Sequence, residues 1–375
     1  MKCRAAVLHT IGAPAPYGQS KPIRVEEIDL APPGDGEVLV KVVAAGLCHS
    51  DLSVLNGSRP RPLPMVIGHE AAGIVEEDGS GVTELTPGDH VVFVFVPSCG
   101  TCVPCGEGRP ALCEPGAKAN VAGTLLGGGQ RISLNGDNVT HHVGVSCFAE
   151  YAVVSQCSLV KVHKDLPLDQ AALFGCAVIT GVGAVVNTAR MEMGASAIVV
   201  GLGGTGLAAL LGAIASGARK TIGIDLLDSK LELAKKLGCD FVFKADDLDI
   251  VDKVKKVTNG GGDYAFECVG SEKAMQLAYN LTKRGGTTCS SGLSDPKSHF
   301  SIQHLNLVAE ERTIKGSYLG SCVPKRDIPR YIELFESGLL PVDSLMSEKI
   351  TLDQVNEGFD KLASGDTIRQ LITFD

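Results

Sequence analysis

Residues 196–218 read SAIVVGLGGTGLAALLGAIASGA, an apolar run without a single charged side chain. Its length alone would suit a membrane span. The glycine cluster at 201–206 would break a spanning helix, and a strand (SAIVVG), a tight turn and a helix (TGLAALLGAIASGA) account for the run better. At the junction, GLGGTG matches G-x-G-x-x-G, with Gly201, Gly203 and Gly206 in the fixed places and Gly204 between them. The motif needs its context, which is present here: glycines after a strand permit the turn, and a pyrophosphate can then sit on the exposed N–H groups that open the helix.

Asp225 ends the next apolar strand, KTIGID, about twenty residues after the loop, where a carboxylate meets the adenosine ribose hydroxyls. Its charge would repel a 2′-phosphate, so NAD is expected rather than NADP. Lys230 is a second candidate for the ribose and equally a solvated helix-face lysine. A glycine-rich turn with no ligand is the competing reading of the whole motif.

Working outward, short buried strands and helices continue to alternate through SKLELAKKLG and DYAFECVG, the pattern of a parallel, doubly wound sheet in an α/β protein. The first third differs. RAAVLHTI, EVLVKVVAAGL, AAGIVEE and DHVVFVFV are β-rich runs separated by turns such as APPGDGE and LTPGD. After about residue 319 come a helical stretch, KRDIPRYIELFESGLL, and a closing strand, TIRQLITF. The expected division is 1–177, 178–319 and 320–375, the last part returning to the first domain.

The chain has 375 residues, 44% hydrophobic, and a formal charge of -9. No segment clusters Lys and Arg, so a nucleic-acid partner is not expected. The N-terminus lacks the apolar core of a signal peptide, and thirteen scattered cysteines suit a cytoplasmic protein with metal sites better than a disulfide framework.

Four of those cysteines crowd into CGTCVPCGEGRPALC: Cys99, Cys102, Cys105 and Cys113. Thiolates so spaced can wrap one tetrahedral zinc and leave it no open position, a purely structural site. The first three also have the spacing of ferredoxin cysteines, but the usual fourth is absent. Free thiols are the remaining alternative.

GLCHSD (46–51), GHEAAGIVEEDGSGV (68–82) and GCAVITG (175–181) each centre on one potential ligand. Any one is weak, since a lone Cys or His is usually a structural residue. Together Cys48, His69 and Cys176 offer two thiolates and one imidazole and leave a fourth position open, the catalytic zinc arrangement. Asp51 can accept the second ring N–H of His69 and fix its tautomer, or can simply cap a helix. Glu70, flanked by apolar MVIGH and AAGIV, reads as buried close to the ion.

On these motifs the chain resembles the zinc-containing medium-chain alcohol dehydrogenases, for which the two-thiolate, one-imidazole set is the type example. The resemblance implies a β-rich, GroES-like catalytic domain interrupted by a Rossmann domain, two zinc ions per subunit, and NAD. It implies further that Ser50 takes the substrate proton, that His49 and Arg369 face the cofactor pyrophosphate, and that Thr180 lies near the nicotinamide. A surface salt bridge for Arg369 and a cap or core hydroxyl for Thr180 are the plainer alternatives. Residues 114–144 look like the insertion of the dimeric branch, so a homodimer is expected. One position departs from the pattern: Ser53 stands where many members carry the terminal histidine of the proton relay, so the relay ends at the ribose, at His49 or in water.

The implied reaction is reversible oxidation of primary aliphatic or aromatic alcohols to aldehydes, with no membrane involved. Oxidation of S-(hydroxymethyl)glutathione is the alternative within the class. For it, Arg59 and Arg61 either bind a substrate carboxylate or are solvated. Phe95 either packs on substrate or is core. A catalytically silent NAD-binding zinc protein is the alternative outside the class.

Overall fold

In the computed structural model, which describes residues 1–374, Ser196–Val200 is a fully buried strand within a six-stranded parallel sheet. The strand order is Phe241–Lys244, Lys220–Asp225, Ser196–Val200, Gly262–Glu267, Thr282–Ser290, Thr313–Gly316, and every neighbouring pair is parallel. A continuous apolar run is what a strand covered on both faces requires. Ile198, Val200, Ile222 and Ile224 from the sheet and Val254 and Leu281 from covering helices share one core. The strand order proceeds outward in opposite senses on the two sides of Ser196–Val200, so its C-terminal end opens on the crevice where doubly wound sheets hold ligands. Gly201 is the next residue. The uncharged stretch is thus strand, turn and helix (Gly204–Ala215). Among the described residues no single helix is long and apolar enough to cross a membrane.

This sheet belongs to a compact unit made of Ala177–Cys322 and Leu334–Val342; the other unit comprises Met1–Cys176, Val323–Glu333 and the chain from Asp343 onward. The return of the chain therefore has a detour that the sequence does not announce, at Leu334–Val342.

In the other unit the hub is the strand Glu37–Gly46, paired antiparallel with Ala71–Asp78, Tyr151–Ser155 and Arg369–Thr373. Pairing of Leu371 with Gly46 is what brings the C-terminal strand home and carries Arg369 with it. The core beneath includes Val40, Leu47, Phe93, Phe148 and Phe359. DHVVFVFV pairs only over His90–Phe93, and Gly175 packs so close to the Phe93 carbonyl that a Cβ there would stand 2.4 Å away.

A small closed barrel completes this unit: Lys2–Leu8, Ile23–Leu30, Ile132–Leu134, Asp137–His141 and Met65–Val66. Two of its strands come from residues 114–144, so that insertion is part of the barrel wall. Asp137–His141 runs parallel to Met65–Val66, with Val66 opposite His141. His141 is 1% exposed, and its Nε2 accepts the Arg131 N–H at 3.1 Å.

Burial, with the Arg131 charge adding, pushes His141 down to about 4. In the unfolded chain it titrates near ~6.5, so between those values the unfolded state binds more protons. The stability it contributes is complete above the unfolded value and is lost as pH falls toward the folded one. Lowering the pH from about 8 to about 5 should cost about 2 kcal/mol through this residue. Urea denaturation at both pH values should show that much less acid sensitivity in His141→Gln than in the parent.

Candidate active site

Cys48 stands two residues past the strand Glu37–Gly46 and caps the helix His49–Leu55 in extended conformation. Its thiol accepts the Asp51 N–H, and the Asp51 carboxylate accepts the Cys48 N–H at 3.2 Å. One turn of chain thereby fixes both a thiol and a fully buried carboxylate. His69 follows Gly68, whose φ is +99° and where a Cβ would lie 2.3 Å from the Phe148 ring. Only glycine meets both demands. His69 Nδ1 donates to Asp51 Oδ1 at 2.7 Å, which turns Nε2 toward Cys176 Sγ, 3.3 Å away.

The ligand atoms of Cys48, His69 and Cys176 all lie within 4.8 Å of one another, and all three residues are buried. Burial alone would lower the His69 pKa, but the charge and hydrogen bond of Asp51 outweigh it and hold the ring well above its ordinary value. Cys48 is held well below the usual thiol range, first by the hydrogen bond from Cys176 and further, against burial, by the charges of Arg369 and His69. As the donor of that bond, Cys176 is pushed up. Two thiols sharing one proton beside an imidazole whose Nε2 faces Cys176 are a donor set matched to Zn²⁺, which would displace the protons of the ring and the thiols.

The four cysteines of the loop also converge, their Sγ atoms within 4.8 Å of one another. Cys102 and Cys113 are 4.0 Å apart, close to the ~3.8 Å edge of a tetrahedron with zinc–sulfur bonds of about 2.3 Å. Backbone N–H groups of Thr101 and Cys102 point at Cys99 Sγ, and those of Cys99 and Gly116 at Cys113 Sγ. These donors favour the thiolate form.

In the parallel sheet's unit, Gly201 has φ +91° and Gly206 packs on it so tightly that a Cβ would fall 1.7 Å from the Gly201 carbonyl. Gly203 is different. Its φ of −75° suits any residue, and a Cβ there would meet no protein atom within 4 Å. The open space at the head of the Gly204–Ala215 helix is a cradle that a side chain would fill and a pyrophosphate fits. Asp225 Oδ2 accepts the Leu202 N–H at 2.7 Å and Oδ1 the Leu227 N–H at 3.1 Å, so the carboxylate braces the loop and keeps further lone pairs for a ribose. Lys230 lies half-buried on the Asp228–Lys236 helix. Lys244, which sequence reasoning missed, donates to the Leu226 carbonyl at 2.5 Å and pairs with Asp228 at 3.2 Å. Thr180 is half-buried on the Ala177–Gly183 helix.

A family model described as "Alcohol dehydrogenase GroES-like domain" matches residues 34–164, and one described as "Zinc-binding dehydrogenase" matches 204–337. The chain is 39% identical to the alcohol dehydrogenase class-3 of Drosophila melanogaster, over 99% of this chain and 97% of that protein. The chain belongs to the zinc-containing medium-chain alcohol dehydrogenases. It is also 36% identical to the S-(hydroxymethyl)glutathione dehydrogenase of Paracoccus denitrificans, over the full length of both. The crystal structure of benzyl alcohol dehydrogenase from Acinetobacter calcoaceticus superposes with a TM-score of 0.93 at 33% identity, covering 100% of both chains.

On the helix that follows Cys48 in this dehydrogenase, Ser50 is half-buried and His49 exposed at its start. Ser53, at the departure from the family pattern, donates to the His49 carbonyl at 2.8 Å. Glu70 is fully buried, and Arg369, 3% exposed, lies 3.6 Å from its Oε2 and donates to the Leu47 carbonyl at 2.9 Å. Arg369 is thus neither at the surface nor spent wholly on Glu70, since its Nε has no hydrogen-bond partner among the described residues. The Phe95 ring stands edge-on to His69 with centroids 5.3 Å apart. Arg61 donates to the Asn120 carbonyl at 3.3 Å. His142, absent from the sequence-based set, is buried with its Nδ1 3.2 Å from Asp51 Oδ1. Its only sequence signal is the pair HH at 141–142, which carries no ligand spacing.

Proposed function

We propose that this alcohol dehydrogenase reversibly oxidises primary alcohols, aliphatic or aromatic, to aldehydes with NAD as hydride acceptor, using two zinc ions per chain. The reading rests on one observation above the others: the buried group of Cys48, His69 and Cys176 offers three ligand atoms, which leaves a tetrahedral ion one position for substrate. Bound there, zinc supplies the Lewis acidity that makes a hydroxyl easier to deprotonate, and NAD supplies the hydride acceptor.

The protein's own part is to bind, orient and move the proton. Ser50, two residues from Cys48, takes the substrate hydroxyl proton and passes it toward exposed His49 or water. Ser53 cannot extend the relay as a histidine would, and its hydroxyl already serves the His49 carbonyl. Phe95, against His69, offers an aromatic wall that suits an apolar or aromatic alcohol. Gly203 and its neighbours receive the pyrophosphate, and Asp225 favours NAD by repelling a 2′-phosphate. Cys99, Cys102, Cys105 and Cys113 hold the second, structural zinc.

None of the thirteen cysteines forms a disulfide, which suits a cytoplasmic setting. A homodimer is supported by the edge strand Thr313–Gly316, whose outer flank is unpaired, and by exposed Leu305 and Val308 on the preceding helix.

The relative from Paracoccus favours a second reading, oxidation of the glutathione adduct of formaldehyde. One assay separates them: NADH absorbance with straight-chain alcohols, aromatic alcohols and the adduct, alongside a zinc count. The proposal expects two zinc ions per chain and a kcat/KM for an alcohol at least ~10-fold above that for the adduct. The reverse preference selects the second reading, and no NADH from any of them sinks both.

A further inference from the structure

Asp51 sits at a junction rather than at the end of a hydrogen bond. Oδ1 accepts from His69 Nδ1 at 2.7 Å and lies 3.2 Å from His142 Nδ1, while Oδ2 accepts the Cys48 N–H at 3.2 Å. All of these groups are buried: Asp51 is 0%, His69 2% and His142 3% exposed. The His142 contact is off the line of an ideal hydrogen bond, and Nδ1 has no other hydrogen-bond partner among the described residues. An imidazole ring carries at least one N–H. Facing a carboxylate that can only accept, Nδ1 is where that proton belongs.

The chain is bent to put it there. Parallel pairing of Val66 with His141 runs the two strands side by side and delivers His69 and His142 to the same spot, their rings perpendicular with centroids 5.6 Å apart. Immediately after His142 the backbone enters the left-handed region at Val143 (φ 42°), Gly144 (φ 71°) and Ser146 (φ 46°). A β-branched residue in that region is strained, and strain of this kind persists where the surroundings hold it. Here Ser146 Oγ does so, accepting the His142 N–H at 2.8 Å and donating to the Val66 carbonyl at 2.7 Å.

We infer that His142 is a positioning residue for the catalytic zinc: it fixes the Asp51 carboxylate, which in turn fixes the tautomer, direction and basicity of His69. A carboxylate held only by His69 and one backbone N–H is free to rock, and the imidazole rocks with it. Outer partners of ligating histidines commonly carry ~10- to 100-fold of metal affinity. The triangle Asp51, His69 and His142 also brings ligand atoms within 4.8 Å, but a separation of 2.7 Å between Oδ1 and Nδ1 is that of a shared proton. An ion at about 2.0–2.2 Å from each would need them further apart.

This inference rests on the zinc reading of Cys48, His69 and Cys176. The test compares two variants of the purified holoenzyme: His142→Asn, which keeps an N–H donor where Nδ1 stands, and His142→Leu, which fills the space and cannot donate. Zinc release to a chelator is followed in both, as is the cobalt d–d spectrum after cobalt is substituted at the catalytic site. The four-cysteine zinc serves as the internal standard. Expected is at least ~10-fold weaker retention of one metal of the two in His142→Leu, with a shifted cobalt spectrum, and near-parental behaviour in His142→Asn. Equal retention in the two variants overturns the inference, whether both hold the metal or both lose it. So do release of both metals in step and a third bound metal. A parent protein with one zinc per chain would instead defeat the underlying reading of the site.

Discussion

Alcohol oxidation in Cys176→Ala is expected to fall by at least about 10⁴-fold, more than 5 kcal/mol of transition-state stabilisation, while zinc content drops by one ion per chain and NADH still binds. Cys176 supplies one of only three ligand atoms in its group. With it gone, Cys48 loses the neighbour that most lowers its pKa and His69 Nε2 loses the sulfur 3.3 Å away. Two ligands left in a buried pocket do not hold a catalytic ion against water. The fold should barely notice, because removing one sulfur from a buried site costs on the order of 1 kcal/mol. Three measurements decide the matter: kcat with a primary alcohol, zinc per chain, and NADH fluorescence on binding. Activity above a tenth of the parent's, or an unchanged zinc count, would show that Cys176 does not bind the catalytic metal.

What the sequence disclosed and what it hid divide by the range of the contacts involved. The four-cysteine loop and GLGGTG were readable because each is a local pattern whose geometry closes within a few residues. Cys48 with Asp51 was readable for the same reason, as one helical turn joins them. Assembling Cys48, His69 and Cys176 needed three separated motifs and came from the family resemblance as much as from spacing. His142 was not readable, since its approach to Asp51 depends on Asp137–His141 lying parallel to Met65–Val66, and no local pattern encodes which strands pair. The burial of Arg369 against Glu70 likewise follows from Leu371 pairing with Gly46. In the parallel sheet, Thr282–Ser290 (TKRGGTTCS) escaped notice because two glycines, a lysine and an arginine break any apolar run. That strand is held by backbone ladders to both neighbours rather than by side-chain patterning.

The two glycines Gly203 and Gly206 should answer the same substitution in opposite ways. At Gly206 a Cβ would stand 1.7 Å from the Gly201 carbonyl, a backbone atom with nowhere to move. Gly206→Ala should therefore prise the helix from the strand and destabilise the dinucleotide unit by several kcal/mol, on the order of 3 or more. Gly203 adopts φ −75° and faces open space, so alanine there should change stability by no more than about 0.5 kcal/mol. A methyl group in that space would, however, meet the pyrophosphate that the loop is read as cradling. Gly203→Ala should weaken NADH binding by about 100-fold, or ~2.7 kcal/mol, with thermal unfolding unchanged. NADH titration and a melting curve on each variant test both halves. If Gly203→Ala binds NADH as the parent does, the pyrophosphate does not approach the backbone there, and the glycines of this loop serve only the packing of helix on strand.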